Sequence, residues 1–122
     1  MTIYIPAGEY YLGDPCYAFT YTTWLNLLRE NNNLEDGEAK IKGLKIVAFS
    51  TIEGDGKYDS CMGDILVDSG LIGLVPQSLA DKTVQHMYRV EFKTKTRCEK
   101  INGKLIFGKY IIETNIEIEN AF

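Results

Sequence analysis

The stretch Gly54–Pro76, GDGKYDSCMGDILVDSGLIGLVP, constrains this chain more than any other. It sets five glycines and four aspartates beside short apolar runs, Ile65-Leu66-Val67, Leu71-Ile72 and Leu74-Val75. Glycine tolerates positive φ and close backbone approach. Aspartate closes tight turns by accepting from nearby backbone. Alternating the two with β-branched residues predicts strands that enter and leave sharp corners, where binding groups tend to gather. A second cluster of the same kind, Tyr11-Leu12-Gly13-Asp14-Pro15-Cys16-Tyr17, lies near the N-terminus. The two read as halves of one constellation.

The rest of the pattern is mostly β. Thr2–Ile5 and Glu9–Leu12 read as strands, the second broken at Gly13-Asp14-Pro15 because proline holds the residue before it extended. One helix follows, with Thr22 or Thr23 as N-cap and Trp24, Leu27 and Leu28 at i, i+3 and i+4 on one face. The polar segment 34–40 reads as a mobile loop, and Glu53–Gly56 as a turn. Leu44–Thr51 reads as a buried strand. Ile65–Val67 and Leu71–Val75 form either a hairpin or a strand–corner–strand around Asp68-Ser69-Gly70. Gln77–Lys82 reads as one helical turn. Tyr88, Val90 and Phe92 alternate with charged neighbours as a half-buried strand. Arg97–Ile101 pairs with Lys104–Phe107 across Asn102-Gly103, the preferred hairpin dipeptide. Tyr110–Ile112 continues the sheet, and Ile116 and Ile118 alternate with glutamates to the end. The whole predicts one β-rich α+β domain over 1–122, with a single main helix on an antiparallel sheet or half-open barrel.

At 122 residues, with 45% hydrophobic and 25% charged residues, the chain suits one globular domain. The net charge of −4 weighs against nucleic acid, which needs a concentrated basic surface. Lys93, Lys95, Arg97, Lys100 and Lys104 still leave room for a local basic pocket. Cys16, Cys61 and Cys98 are odd in number and widely spaced, which fits neither a disulfide framework nor a zinc signature. No apolar run approaches the ~20 residues that cross a bilayer, and the N-terminus lacks a signal-peptide pattern. These features predict a soluble chain in a reducing cytoplasm.

Candidate chemistry is weighed against simpler roles. Cys16 could act as a nucleophile oriented by Asp14, or be a small buried side chain beside a turn-closing aspartate. Asp55, Asp59, Asp64 and Asp68 could gather around a divalent metal, but their spacing is not that of a calcium loop, and turn closure explains them without one. Ser69 lacks the surroundings of an activated serine. Tyr11, Tyr17 and Tyr58 could serve as contact aromatics. The candidate ligand-binding set is therefore Tyr11, Asp14, Cys16, Tyr17, Asp55, Tyr58, Asp68 and Ser69. No catalytic set, metal site or cofactor is assigned.

The ordered blocks GDPCY, Trp24, GDGxY and VDSGxIGxVP, spanning Tyr11 to Pro76, resemble a group of small uncharacterised bacteriophage and prophage proteins. The resemblance covers about half the chain. It implies an accessory protein in a bacterial host cytoplasm and brings no established activity. Binding to a host protein or a nucleotide-like small molecule, including in counter-defence, is the first expectation. In that case Lys or Arg of the C-terminal hairpin would meet phosphate. A small hydrolase using the aspartates with a metal, or using Cys16, is the second. A structural or oligomeric virion component, pairing through the Ile116–Ile118 strand, is the third.

Overall fold

Period-two alternation of apolar residues builds two antiparallel sheets in the computed structural model, which describes residues 1–34 and 36–114. The strands are β1 (Thr2–Ile5), β2 (Gly8–Gly13), β3 (Gly37–Ile41), β4 (Leu44–Ser50), β5 (Gly56–Ser60), β6 (Gly63–Val67), β7 (Leu71–Pro76), β8 (Tyr88–Phe92), β9 (Thr96–Ile101), β10 (Lys104–Phe107) and β11 (Tyr110–Glu113). One sheet has the order β1-β9-β10-β11-β5-β6 and the other β3-β4-β7-β2-β8. The single α-helix of the described residues, α1, spans Tyr21–Glu30.

The β-rich α+β reading therefore holds, but not as one half-open barrel: two separate sheets face each other. Between them lie Leu12, Val47, Phe49, Ile72 and Leu74 from one side, and Tyr58, Ile65, Leu105, Phe107 and Ile112 from the other. Phe49 and Phe107 meet across the gap with ring centroids 5.7 Å apart. On the outer face of the five-stranded sheet, Ile46, Ala48, Leu71 and Val75 pack against Trp24 and Leu27 of α1. β7 is buried along its whole length because it has an apolar layer on each side. That explains its unbroken apolar sequence, where a half-exposed strand would alternate.

Several local expectations are corrected. Segment 37–41 is not a mobile loop but β3, paired with β4 from Gly37↔Ala48 to Ile41↔Leu44. Its turn is Lys42-Gly43, both at positive φ, so a two-residue hairpin forms without the usual Asn or Asp in first place. The N-cap of α1 is Thr20, not Thr22 or Thr23. The Asp81 carboxylate sits over this helix start, accepting from the Thr20 N–H at 2.6 Å and the Thr23 hydroxyl at 2.6 Å. The Thr23 hydroxyl bond above all holds Asp81 below its ordinary carboxylate range. A carboxylate there also complements the helix dipole. The turn expected at Glu53–Gly56 leads directly into β5, a strand that the sequence reading missed. Asp68-Ser69-Gly70 is the corner version of the two alternatives: β6 belongs to one sheet and β7 to the other. The Asn102-Gly103 hairpin forms as expected. The predicted strand at Ile116 and Ile118 lies outside the described residues.

Polar bonds close the sides of the sandwich. The Tyr88 hydroxyl donates to the Asp64 carbonyl at 2.8 Å, and Lys45 Nζ to the Tyr4 carbonyl at 2.8 Å. Lys100 on β9 reaches Ser50 on β4 and Asp36.

Gly73 sits at the tightest place in the five-stranded sheet, paired with both Gly13 and Ala48. A Cβ there would stand 2.0 Å from the Val47 carbonyl oxygen and 2.8 Å from Ala48 Cα, both backbone atoms that cannot turn aside. Gly73→Ala should lower unfolding free energy by roughly 1–3 kcal/mol, as other overpacked cores do. A urea midpoint unchanged from wild type would contradict this register.

Candidate functional site

Asp14 is the centre of the constellation. Its backbone is extended, at φ −74° and ψ 118°, as the residue before a proline should be. Pro15 then opens a short 3₁₀ turn over Pro15–Ala18. This geometry aims the Asp14 carboxylate across at the β6–β7 corner. Oδ2 accepts from the N–H groups of Asp68 and Ser69, each at 2.7 Å. Oδ1 accepts from the Ser69 hydroxyl at 2.6 Å and the Cys16 N–H at 3.0 Å. The residue is 0% exposed. A buried carboxylate is tolerated only when its lone pairs are filled, and here four donors fill them.

Around this core the structure brings together Cys16, Tyr17, Asp68 and Ser69, as the sequence reading expected. The Tyr17 hydroxyl donates to Asp68 Oδ2 in a short bond. His86, the only histidine, lies against the Tyr17 ring at 5.1 Å between centroids. Burial raises the Tyr17 hydroxyl above its ordinary range, and the bond to Asp68 adds to it, so the phenol stays protonated. The Cys16 thiol is likewise pushed up, by burial first and then by the Asp14 charge and hydrogen bond; Lys82 opposes this less strongly. A thiol so placed is not a ready nucleophile. Ser69 is no better placed, since its hydroxyl donates into a carboxylate already held by three N–H groups.

The other expected residues are differently placed. Tyr58 was expected as a contact aromatic, but it is 1% exposed, with its ring in the core between the sheets. Only its hydroxyl touches the site region, donating to the Gly54 carbonyl at 2.8 Å. It steadies the 51–54 bend from beneath and cannot contact a ligand. Tyr11 lies on the outer face of the β2–β8 pair under Arg89, 5.9 Å from guanidinium carbon to ring centroid. Asp55 does reach the corner: its Oδ1 stands 3.9 Å from where a Gly70 side chain would begin. Asp59 and Asp64 face each other across the β5–β6 hairpin instead. Among the described residues, no three acidic, histidine or cysteine side chains come together to hold a metal ion.

A cleft of about 430 Å³ opens beside the corner, which the sequence reading did not foresee. Trp24 and Leu28 of α1 and Leu71 of β7 line it with apolar surface; Ser50, Thr51, Ser69 and Asn33 add polar groups, with Gly54 and Gly70 completing it. None of these lining residues is charged. Behind Ser50 lies a compact ionic cluster. Lys100 Nζ donates to Ser50 Oγ at 2.8 Å and to Asp36 Oδ1 at 3.0 Å, while the Ser50 N–H donates to Asp36 at 2.8 Å. Burial alone would raise Asp36, but its bonds from Ser50 and Lys100 outweigh this and bring it below its ordinary range. No sequence motif marked this cluster, because its members are 14 and 64 residues apart from Asp36 and only the sheet pairing unites them.

Asp14→Ala should cost roughly 2–4 kcal/mol, since it takes the acceptor from four part-buried donors of Cys16, Asp68 and Ser69. Tyr17→Phe should cost about 1 kcal/mol, and exposed Asp59→Ala less than about 0.5 kcal/mol. Denaturant unfolding of the three variants gives this ranking. Asp14→Ala and Asp59→Ala unfolding alike would refute the central role of Asp14.

No protein-family model, no curated protein and no solved structure matches this chain.

Proposed function

We propose that this is a phage-type accessory protein that works by binding a small ligand in the cleft beside the Asp14 corner, rather than by catalysis. The observation that carries this reading is the cleft itself. It is a concavity of about 430 Å³ lined by apolar side chains and a few hydroxyl and amide groups, a size and lining found in ligand sites. Its Ser69–Leu71 wall is built on the corner that Asp14 braces. A braced wall lowers the ordering cost a ligand must overcome. The nearby groups that could act as nucleophiles point the same way. The Cys16 thiol is held protonated, and the Ser69 hydroxyl is committed to Asp14.

The resemblance of the GDPCY, GDGxY and VDSGxIGxVP blocks to phage and prophage proteins supports a setting in a bacterial host. Those same blocks supply the corner, which makes the cleft wall the natural place for a shared role. No helix of the described residues is long and apolar enough to cross a membrane.

The test is a thermal-shift screen of nucleosides, nucleotides, cyclic dinucleotides and sugars on wild type and on Leu28→Tyr, which puts a bulkier phenol ring into the cleft. A ligand at about 100 times its Kd adds about 2.7 kcal/mol to folded-state stability, enough to raise Tm by several degrees. The expected result is a compound that shifts wild type but not Leu28→Tyr. A compound that shifts both equally binds elsewhere and contradicts the reading, as does a screen with no shift at all.

A further inference from the structure

We infer that the cleft takes an uncharged nucleoside, not a nucleotide, with the base against the apolar wall and the sugar hydroxyls toward Asp55. The inference rests on the binding reading above and adds the chemical class of the ligand. Three observations carry it.

The first is the lining. Trp24, Leu28 and Leu71 supply apolar contact and Asn33 an amide, and no cation stands among the lining residues. Ser50, Thr51 and Ser69 present hydroxyl oxygens as acceptors only, since their protons go to Asp36, the Gly54 carbonyl and Asp14. A phosphate entering such a cleft would lose its hydration without a compensating charge, the costliest kind of burial. A flat, neutral, hydrogen-bonding ring meets no such penalty.

The second is the state of Lys100, the lysine that reaches Ser50 at the cleft wall. It is already neutralised by Asp36 at 3.0 Å, and its side chain is only 23% exposed. A phosphate approaching this lysine would have to compete with a carboxylate bonded to both Lys100 and Ser50. The cluster therefore engages the Ser50 hydroxyl, which donates to Asp36 and accepts from Lys100, and offers no free positive charge.

The third is Asp55, an exposed carboxylate next to Gly70 of the lining. Gly70, at φ +75°, carries no side chain, and Asp55 Oδ1 comes within 3.9 Å of the space that one would occupy. An exposed carboxylate there repels phosphate and accepts from hydroxyl donors. A pair of vicinal sugar hydroxyls matches its two oxygens. The pocket volume suits a drug-sized or smaller ligand, within the usual range for such sites.

Trp24 is the only tryptophan of the chain and lines the cleft, so its emission reports occupancy directly. The experiment titrates adenosine, guanosine, cytidine and uridine, their 5′-monophosphates and their 2′,3′-dideoxy analogues into wild type, Asp55→Asn and Leu28→Tyr. The expected result is one nucleoside that changes Trp24 emission with a Kd at least about tenfold below that of its monophosphate, a difference of about 1.4 kcal/mol. Its dideoxy analogue and the Asp55→Asn variant should each weaken binding several-fold, and Leu28→Tyr should abolish it. A monophosphate that binds as tightly as its nucleoside, or more tightly, overturns the inference. If only some other compound binds in a way that depends on Leu28, the ligand class is wrong while the binding reading stands. If no compound binds, both fall.

Discussion

One buried carboxylate holds the arrangement together. Asp14 directly follows β2, an interior strand of the five-stranded sheet, and its oxygens take donors from the corner where the chain leaves the six-stranded sheet for β7. The N–H groups of that part-buried corner lie outside any strand ladder and need an acceptor, since an unpaired donor that water does not reach costs as much as a lost hydrogen bond. Asp14 provides them, and the corner donors in turn make the burial of its charge tolerable. Each half of the constellation satisfies a cost that the other would incur alone. The bonds run between residues 54 and 55 positions apart, so they form only once β2 and β7 have paired.

That mutual dependence changes what the Gly/Asp clusters mean. Their residue types suggest chemistry, yet most of their polar atoms are consumed in bracing. Asp14 is saturated, Ser69 donates into it, Tyr17 donates to Asp68, and Tyr58 supports the 51–54 bend from inside the core. What remains available lies one step away, in a cleft shaped by the braced corner on one side and α1 on the other. Residues such as Ser50, Thr51 and Leu28, which no motif marks, line that cleft.

Much of the fold is legible in the sequence because most strands keep one face to the core and alternate accordingly. Tyr88–Phe92 follows directly from that rule, and the Asn102-Gly103 hairpin from its turn dipeptide. The unbroken apolar run in β7 is equally telling, since only a strand covered on both faces can afford it. The grouping of Asp14 with Asp68 and Ser69 was also readable, as Gly/Asp corners with shared composition. The misses have physical causes. β3 is short, edge-placed and polar on one face, and its Lys42-Gly43 turn lacks the usual dipeptide. The β5 strand carries one core side chain, Tyr58, among charged and small residues, too few for periodicity to show. The role of Tyr58 was misread because its hydroxyl and its ring serve different layers. The Asp36–Ser50–Lys100 cluster depends on strand pairing across the sandwich, which local composition does not encode.

Amide hydrogen exchange at Asp68 and Ser69 tests the central claim most directly. These N–H groups stand in a surface corner, outside any strand ladder, yet each donates to a buried carboxylate. If Asp14 braces the corner, both exchange as slowly as the amides of Gly73 and Leu74 in β7, through opening of the whole structure. Exchange as fast as in the exposed 82–85 connection would mean that the corner opens freely, and the account of Asp14 as the joint between the two sheets would fail.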